Sequence, residues 1–205
     1  METQYHRNGN IMLQDLSSII HKNVNSIFHL MENIDYNKLE ELFNVLKDSK
    51  VIYFSGIGKN SHIANIISST FNSLTIRSIF IDPIHAVHGD MGLIEDNSIV
   101  VLISKSGNTD ELLFFCEKLN LRNCKTKIIL LHSNNDAKLK KYSYFDLYVP
   151  FLNECDPWNR VPTCSLVCYL IVLHSIGMKI VDYKKVTVEQ FYKNHPGGDI
   201  GKQKK

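Results

Sequence analysis

A chain of 205 residues, 44% hydrophobic and 21% charged, is long enough for one well-buried domain and short for two. A formal net charge of +2 is too small for a nucleic-acid surface, and the clustered lysines, Lys138, Lys140, Lys141 and those of the Lys202 to Lys205 tail, read as solvated faces. Five cysteines with no C-x-x-C pair make neither a disulfide framework nor a structural zinc site, and point to a reducing cytoplasm.

The first fifteen residues carry Glu2, Gln4, His6, Arg7 and Asn8 and lack the apolar core of a signal peptide. Ile11 to Ile34 then places Leu16, Ile19, Ile20, Ile27, Leu30, Met31 and Ile34 at three- and four-residue steps, which predicts a long amphipathic helix. Its apolar stripe needs a partner, in this chain or in another subunit, so residues 1–48 read as a helical extension suited to oligomerisation. A second helix is expected from Asn37 to Lys47, capped by Asp35, with Leu39, Leu42, Phe43 and Leu46 inward.

From Lys50 the chain alternates strand and helix signals, the mark of a doubly wound α/β fold. The five predicted strands are Val51 to Ser55, Ile76 to Ile81, Ile99 to Ile103, Lys127 to Leu131 and Phe145 to Val149. Helices are expected over Lys59 to Phe71 and Asn108 to Leu121, with shorter pieces near His85 to Met91 and Asp136 to Tyr142. Pro150 to Arg160 reads as an irregular loop before a helix opened by Pro162. Leu166 to Ile180, interrupted by His174, Ser175 and Lys179, falls short of a membrane span and reads as a buried core helix. A capped helix, Thr187 to Asn194, ends at Pro196, Gly197 and Gly198. Residues 49–201 thus read as one α/β domain, and 202–205 as a basic tail.

Ser98 to Leu113, SIVVLISKSGNTDELL, is the stretch that suggests chemistry. Ile99 to Ile103 has no alternation, as a parallel strand buried on both faces would have. Ser104, Ser106, Gly107 and Thr109 follow at a helix start, offering hydroxyls and free backbone N–H groups to a phosphate. In a sheet ordered 2-1-3-4-5 the ligand sits between the carboxyl ends of strands one and three. That sets the hydroxyl turn beside Gly56-Ile57-Gly58-Lys59. The glycine turn is a partial dinucleotide motif, but Ser61 stands at the third glycine and Lys59 projects where a pyrophosphate must approach. Asp82, His85 and His88 are spaced to hold a divalent metal or, equally, to bond backbone and substrate hydroxyls. Cys164 and Cys168 share an apolar helix face, where packing is the default. Glu111 and Glu154 both lie where a general base is needed, provided burial raises the carboxyl pKa toward neutrality.

Five segments in order, G-x-G-K-x-x-H-I-A, H-x-x-H-G-D-M-G, I-S-x-S-G-x-T-x-E, E-x-x-P-x-x-x-x-P-T-x-S and N-H-P-G-G-D-I-G, resemble the sugar-isomerase (SIS) domain. More narrowly they are similar to D-arabinose 5-phosphate isomerases, over about Val51 to Gly201. The resemblance implies phosphate recognition by Ser104, Ser106 and Thr109, with Ser55 and the Thr163 to Ser165 turn nearby. Gly56, Gly58 and Gly107 of those turns are expected among the substrate-binding residues, and His88 would contact sugar hydroxyls. It implies catalytic work by Lys59, Glu111, Glu154 and His195, with Glu154 favoured as the base and His195 handling hydroxyl protons or ring opening. The implied reaction is D-ribulose 5-phosphate to D-arabinose 5-phosphate through an enediolate, with no cofactor, in a cytoplasmic homotetramer whose closing histidine can reach a neighbour's cleft. No nucleic-acid or membrane partner is implied. Asp82 stands where the family commonly has histidine, which counts against a metal there. A phosphosugar-binding sensor, or an isomerase of another phosphosugar, is the alternative.

Overall fold

A computed structural model describes residues 14–122 and 124–202 of the chain. The predicted start at Ile11, the residues before it and Gln203 to Lys205 lie outside the described residues.

Two helices come first, α1 (Leu16–Asn33) and α2 (Tyr36–Leu46). Asp15 caps α1 through Ser18 N–H, and Asp35 caps α2 by accepting from Asn37 and Lys38 N–H, each bond filling donors the helix itself leaves unpaired. The sheet follows as β1 (Ile52–Gly56), β2 (Ser78–Phe80), β3 (Ile99–Ile103), β4 (Lys127–His132) and β5 (Phe145–Tyr148), all parallel, in the order β2-β1-β3-β4-β5. The connecting helices are α3 (Lys59–Ser73), α4 (Pro83–Ala86) and α5 (Asp110–Leu121), with 3-10 turns at Asp90–Leu93 and Lys138–Tyr142. The chain closes with α6 (Cys164–Lys184), α7 (Val188–Asn194) and α8 (Gly198–Lys202).

Side chains alternate across the sheet into two cores. Ile52, Phe54, Val101, Ile103 and Leu131 join α1, α2, α3 and α6 on one face. Val51, Tyr53, Val100, Leu102 and Leu130 join α4 and α5 on the other. All five residues of β3 are buried, which explains its unbroken apolar run, since both faces are covered. Burying each such Leu, Ile or Val contributes about 1.5–3 kcal/mol.

α1 and α2 are therefore part of the main core, through Leu30, Ile34, Leu42, Phe43 and Leu46. Only part of the predicted α1 stripe is used this way: Leu16, Ile20 and Met31 stay exposed. α6 is the described helix with the length and apolarity of a membrane span, yet one side packs on α1, α2 and α3. Gly177 permits close approach there, because a Cβ would lie 2.6 Å from the Phe71 ring.

Several boundaries differ from the sequence expectation. β2 is three residues long: Thr75 turns the chain at positive φ before it and Ile76 N–H is spent on Phe71 O, while Asn72 bonds the outward backbone groups of Ser78. Pro162 does not open α6; Thr163 occupies the cap position and Pro162 precedes it. Gly198 does not end the chain's helical structure but begins α8.

Candidate active site

β1 and β3 are neighbours, and Gly56 stands opposite Ile103 in register. The turns leaving both strands thus open side by side at the carboxyl edge of the sheet. Gly58, at φ 60°, is the N-cap residue of α3, and Lys59 is the first residue of that helix, exposed. Gly56 sits so close to α3 that a Cβ would come within 3.0 Å of the Asn60 backbone.

The second turn is built by its own polar groups. Ser104 Oγ accepts from Gly107 N–H at 3.2 Å and lies 3.5 Å from Thr109 Oγ1, while Ser106 Oγ accepts from Asn108 N–H at 3.2 Å. Thr109 holds the N-cap position of α5 without a side-chain capping bond. Gly107 is required twice over, by its φ of 63° and because a Cβ would lie 2.3 Å from that of Ala137. The segment after β4 fixes the turn from behind: Asn134 Nδ2 donates to Ser106 O at 2.8 Å, and Lys138 N–H donates to Asn108 Oδ1 at 2.8 Å.

Glu154 enters from the loop after β5 and is buried. Oε2 accepts from Thr163 N–H at 2.8 Å, Thr163 Oγ1 at 3.2 Å and Ser165 N–H at 3.2 Å. Oε1 accepts from Ser165 Oγ at 2.6 Å and from Lys105 Nζ at 2.9 Å. Burial is the largest influence and pushes the carboxyl pKa up, but the hydrogen bonds from Ser165, Thr163 and Lys105 together outweigh it and hold Glu154 below the ordinary range. The upward shift that the general-base role was conditioned on is not seen, because a carboxylate with five donors keeps its charge.

Thr163 and Ser165, expected near the phosphate, have their hydroxyls committed to Glu154. Lys105, between the two serines of the hydroxyl turn, is not among the sequence candidates, although it joins that turn to the buried carboxylate. Ser55 Oγ and Asn60 Oδ1 are buried without a partner among the described residues, and nothing in the sequence singles out Asn60. Ser55 and Ser104 share the α5 side of the sheet, following the alternation set by Tyr53 and Leu102. Glu111 is exposed in the first turn of α5.

Two sets of candidates fall elsewhere or take other roles. Asp82 caps α4 by accepting from Ile84 N–H at 2.8 Å, and His85 Nδ1 lies 4.0 Å from its other oxygen. His88 is exposed just beyond α4, and the described residues contain no group of three potential ligands for a metal ion. His195 follows α7, where its Nδ1 bonds Phe191 O at 2.9 Å. The neighbouring Asn194 donates to the carbonyls of Asn72 and Ser73. Those carbonyls lie at the far end of α3 from Lys59, about 20 Å away at 1.5 Å per residue. Within one chain, then, His195 stands apart from Lys59 and the hydroxyl turn.

Residues 45–176 match the SIS domain family model. The arabinose 5-phosphate isomerase KpsF of Escherichia coli O6:H1 is 31% identical over 176 residues, covering 85% of this chain and 53% of that protein. An uncharacterized Chlamydia pneumoniae protein is 34% identical over 157 residues, 77% of this chain and 47% of that one. The chain spans about half the length of the curated relatives it matches. Among solved structures, an E. coli CFT073 protein in complex with arabinose 5-phosphate superposes with a TM-score of 0.83 at 26% identity, covering 88% of this chain and 95% of that chain.

Proposed function

The chain belongs to the SIS domain family, and on that premise we propose that it is a phosphosugar isomerase that interconverts D-ribulose 5-phosphate and D-arabinose 5-phosphate. The observation that carries this reading is the pairing of Gly56 with Ile103, which sets the Lys59 turn beside the Ser104–Thr109 turn at the carboxyl edge of the sheet, where a doubly wound fold takes its ligand. The name of the KpsF relative and the arabinose 5-phosphate bound by the E. coli neighbour support the choice of substrate.

The phosphate is received by the hydroxyls of Ser104, Ser106 and Thr109 and the N-terminus of α5, an anion site by its unpaired N–H groups. Ser55 Oγ and Asn60 Oδ1 face the sugar, whose hydroxyls relieve the cost of leaving them unpaired, about 1–3 kcal/mol each. A dianion seated against Lys105 draws its ammonium from Glu154. Burial then raises that carboxylate's affinity for a proton, and Glu154 removes the hydrogen from C2 of the aldose or C1 of the ketose. Lys59 stabilises the charge that develops on the enediolate oxygen. Returning the proton to the other carbon while the hydroxyl proton moves between O1 and O2 completes the isomerisation with atoms and electrons balanced.

His195 serves the cleft of another subunit, and the working unit is an assembly, a homotetramer in this proposal. Its support is the separation of His195 from Lys59, together with the outward stripe of α1, where Leu16, Ile20, Phe28 and Met31 are 79%, 62%, 56% and 53% exposed. A cytoplasmic setting suits the five unpaired cysteines. Incubating the purified chain with D-ribulose 5-phosphate and following the appearance of aldopentose phosphate by NMR tests the activity. No product with ligand binding retained would replace the isomerase with a sensor.

A further inference from the structure

The loop that carries Glu154 and the first turn of α6 that holds it each contribute a thiol. Cys155 follows Glu154 directly, and Cys164 lies between Thr163 and Ser165, which bind the Glu154 carboxylate together with Lys105. Their Sγ atoms are 3.4 Å apart. Asn23 of α1 touches both: its Nδ2 donates to Cys155 Sγ at 3.1 Å, and Cys164 Sγ donates to its Oδ1 at 3.7 Å. Cys155 N–H also donates to Thr163 Oγ1 at 2.8 Å, so the two segments already meet at the cap of α6.

We propose that Cys155 and Cys164 are a redox modification site, which a hydroperoxide converts to a disulfide that pins the Glu154 loop to the first turn of α6. Cys155 is half-buried and Cys164 fully buried, so Cys155 meets the oxidant and Cys164 resolves. Burial and the neighbouring Cys155 push the Cys164 thiol pKa up, which counts against Cys164 as the thiol that meets the oxidant. In the first step the Cys155 sulfur takes an oxygen from the hydroperoxide to give a sulfenic acid, and the hydroperoxide is reduced to water or an alcohol. In the second, the Cys164 sulfur attacks the Cys155 sulfur, the S–S bond forms and water leaves. A small thiol reductant reverses the change by exchange.

The other cysteines are placed differently. Cys168, one turn further along α6, donates to Ser26 O at 3.8 Å, and its thiol pKa is pushed up to about 12 by burial. Cys116 and Cys124 lie in the core on the opposite face of the sheet.

Closing 3.4 Å to a bond length of about 2 Å must move the loop, the turn or both. Displacements on the ångström scale near reacting groups cost roughly ten- to a hundredfold in rate. The cross-link itself does not depend on the isomerase reading, whereas its effect on turnover does.

The test is to treat the full chain with hydrogen peroxide, quench with N-ethylmaleimide and map the peptides by mass spectrometry. The expected result is loss of two hydrogens, with a dithiothreitol-reversible link joining the Cys155 and Cys164 peptides, absent from Cys155→Ser and Cys164→Ser. Turnover should fall roughly ten- to a hundredfold on oxidation and return on reduction. Sulfinic acid on Cys155 without a link, a Cys164–Cys168 link, or a correct link with unchanged turnover would each overturn the proposal. If the reduced chain shows no turnover, the isomerase reading falls, and the peptide map alone decides whether the disulfide site stands.

Discussion

The ammonium of Lys105 lies 2.9 Å from the buried carboxylate of Glu154, across 49 residues of chain, and thereby couples the hydroxyl turn after β3 to the loop after β5. Removing Lys105 should leave that carboxylate with the same burial and one donor fewer. In Lys105→Met the acid limb of the kcat/KM profile should move to higher pH than in the wild type. Stability at neutral pH should fall by about 1–3 kcal/mol, the cost of losing a hydrogen bond to a buried charge. An unmoved acid limb would show that Lys105 does not govern Glu154.

The pH dependence of stability has a sign fixed by two groups. Glu154 is held below the ordinary glutamate range, so its contribution is present above the unfolded-chain pKa of about 4.3 and is lost as pH falls through the folded value. His132 is fully buried in β4, and burial lowers its pKa despite a 3.0 Å contact with Asp146. The unfolded chain therefore binds its proton first, and the folded state loses stability as pH falls below about 6.5. Denaturant midpoints should drop between roughly pH 7.5 and 5.5 in the wild type, and drop less in His132→Asn. An equal drop in both would remove His132 as the cause.

Neither Ser104→Ala nor Ser106→Ala should unfold the chain. Each removes one hydroxyl from the proposed phosphate seat, so each should weaken phosphate-ester binding by about tenfold, the equivalent of roughly 1.4 kcal/mol. Calorimetric titration with arabinose 5-phosphate reads the effect. Unchanged affinity in both variants would move the phosphate elsewhere.

If His195 works in a neighbour's cleft, two inactive variants should rescue one another. Lys59→Ala and His195→Ala are each expected to lose most turnover, while a co-expressed mixture regains part of it in mixed assemblies. Size-exclusion chromatography with light scattering gives the oligomeric state of the same samples. A mixture as inactive as its parents would place His195 and Lys59 in the same chain's site or remove one of them from the reaction.

Much of this architecture is legible because its signals are local. The Asp35 cap, the unbroken run of β3 and the serines after it are set by residues close in sequence. Lys105 escapes a reading of the sequence because a lysine in a turn reads as solvated, and nothing nearby announces a carboxylate 49 residues on. The sign of the Glu154 shift is hidden for a related reason, since burial alone predicts a rise and the donors from Thr163 and Ser165 become visible only in the folded loop. The place of His195 is hidden too: docking of Asn194 on Asn72 and Ser73 depends on how α7 packs on α3, which the helix's own residues do not specify.

The most direct measurement is solvent exchange at C2 of the sugar phosphate. Arabinose 5-phosphate incubated with the wild-type chain in deuterated water should gain deuterium at C2 by NMR. The gain should disappear in Glu154→Gln and fall steeply in Lys59→Ala, with phosphosugar binding retained in both. Exchange that persists undiminished in Glu154→Gln, or its absence from a wild-type chain that binds the ligand, would contradict proton transfer by the carboxylate that Lys105 holds.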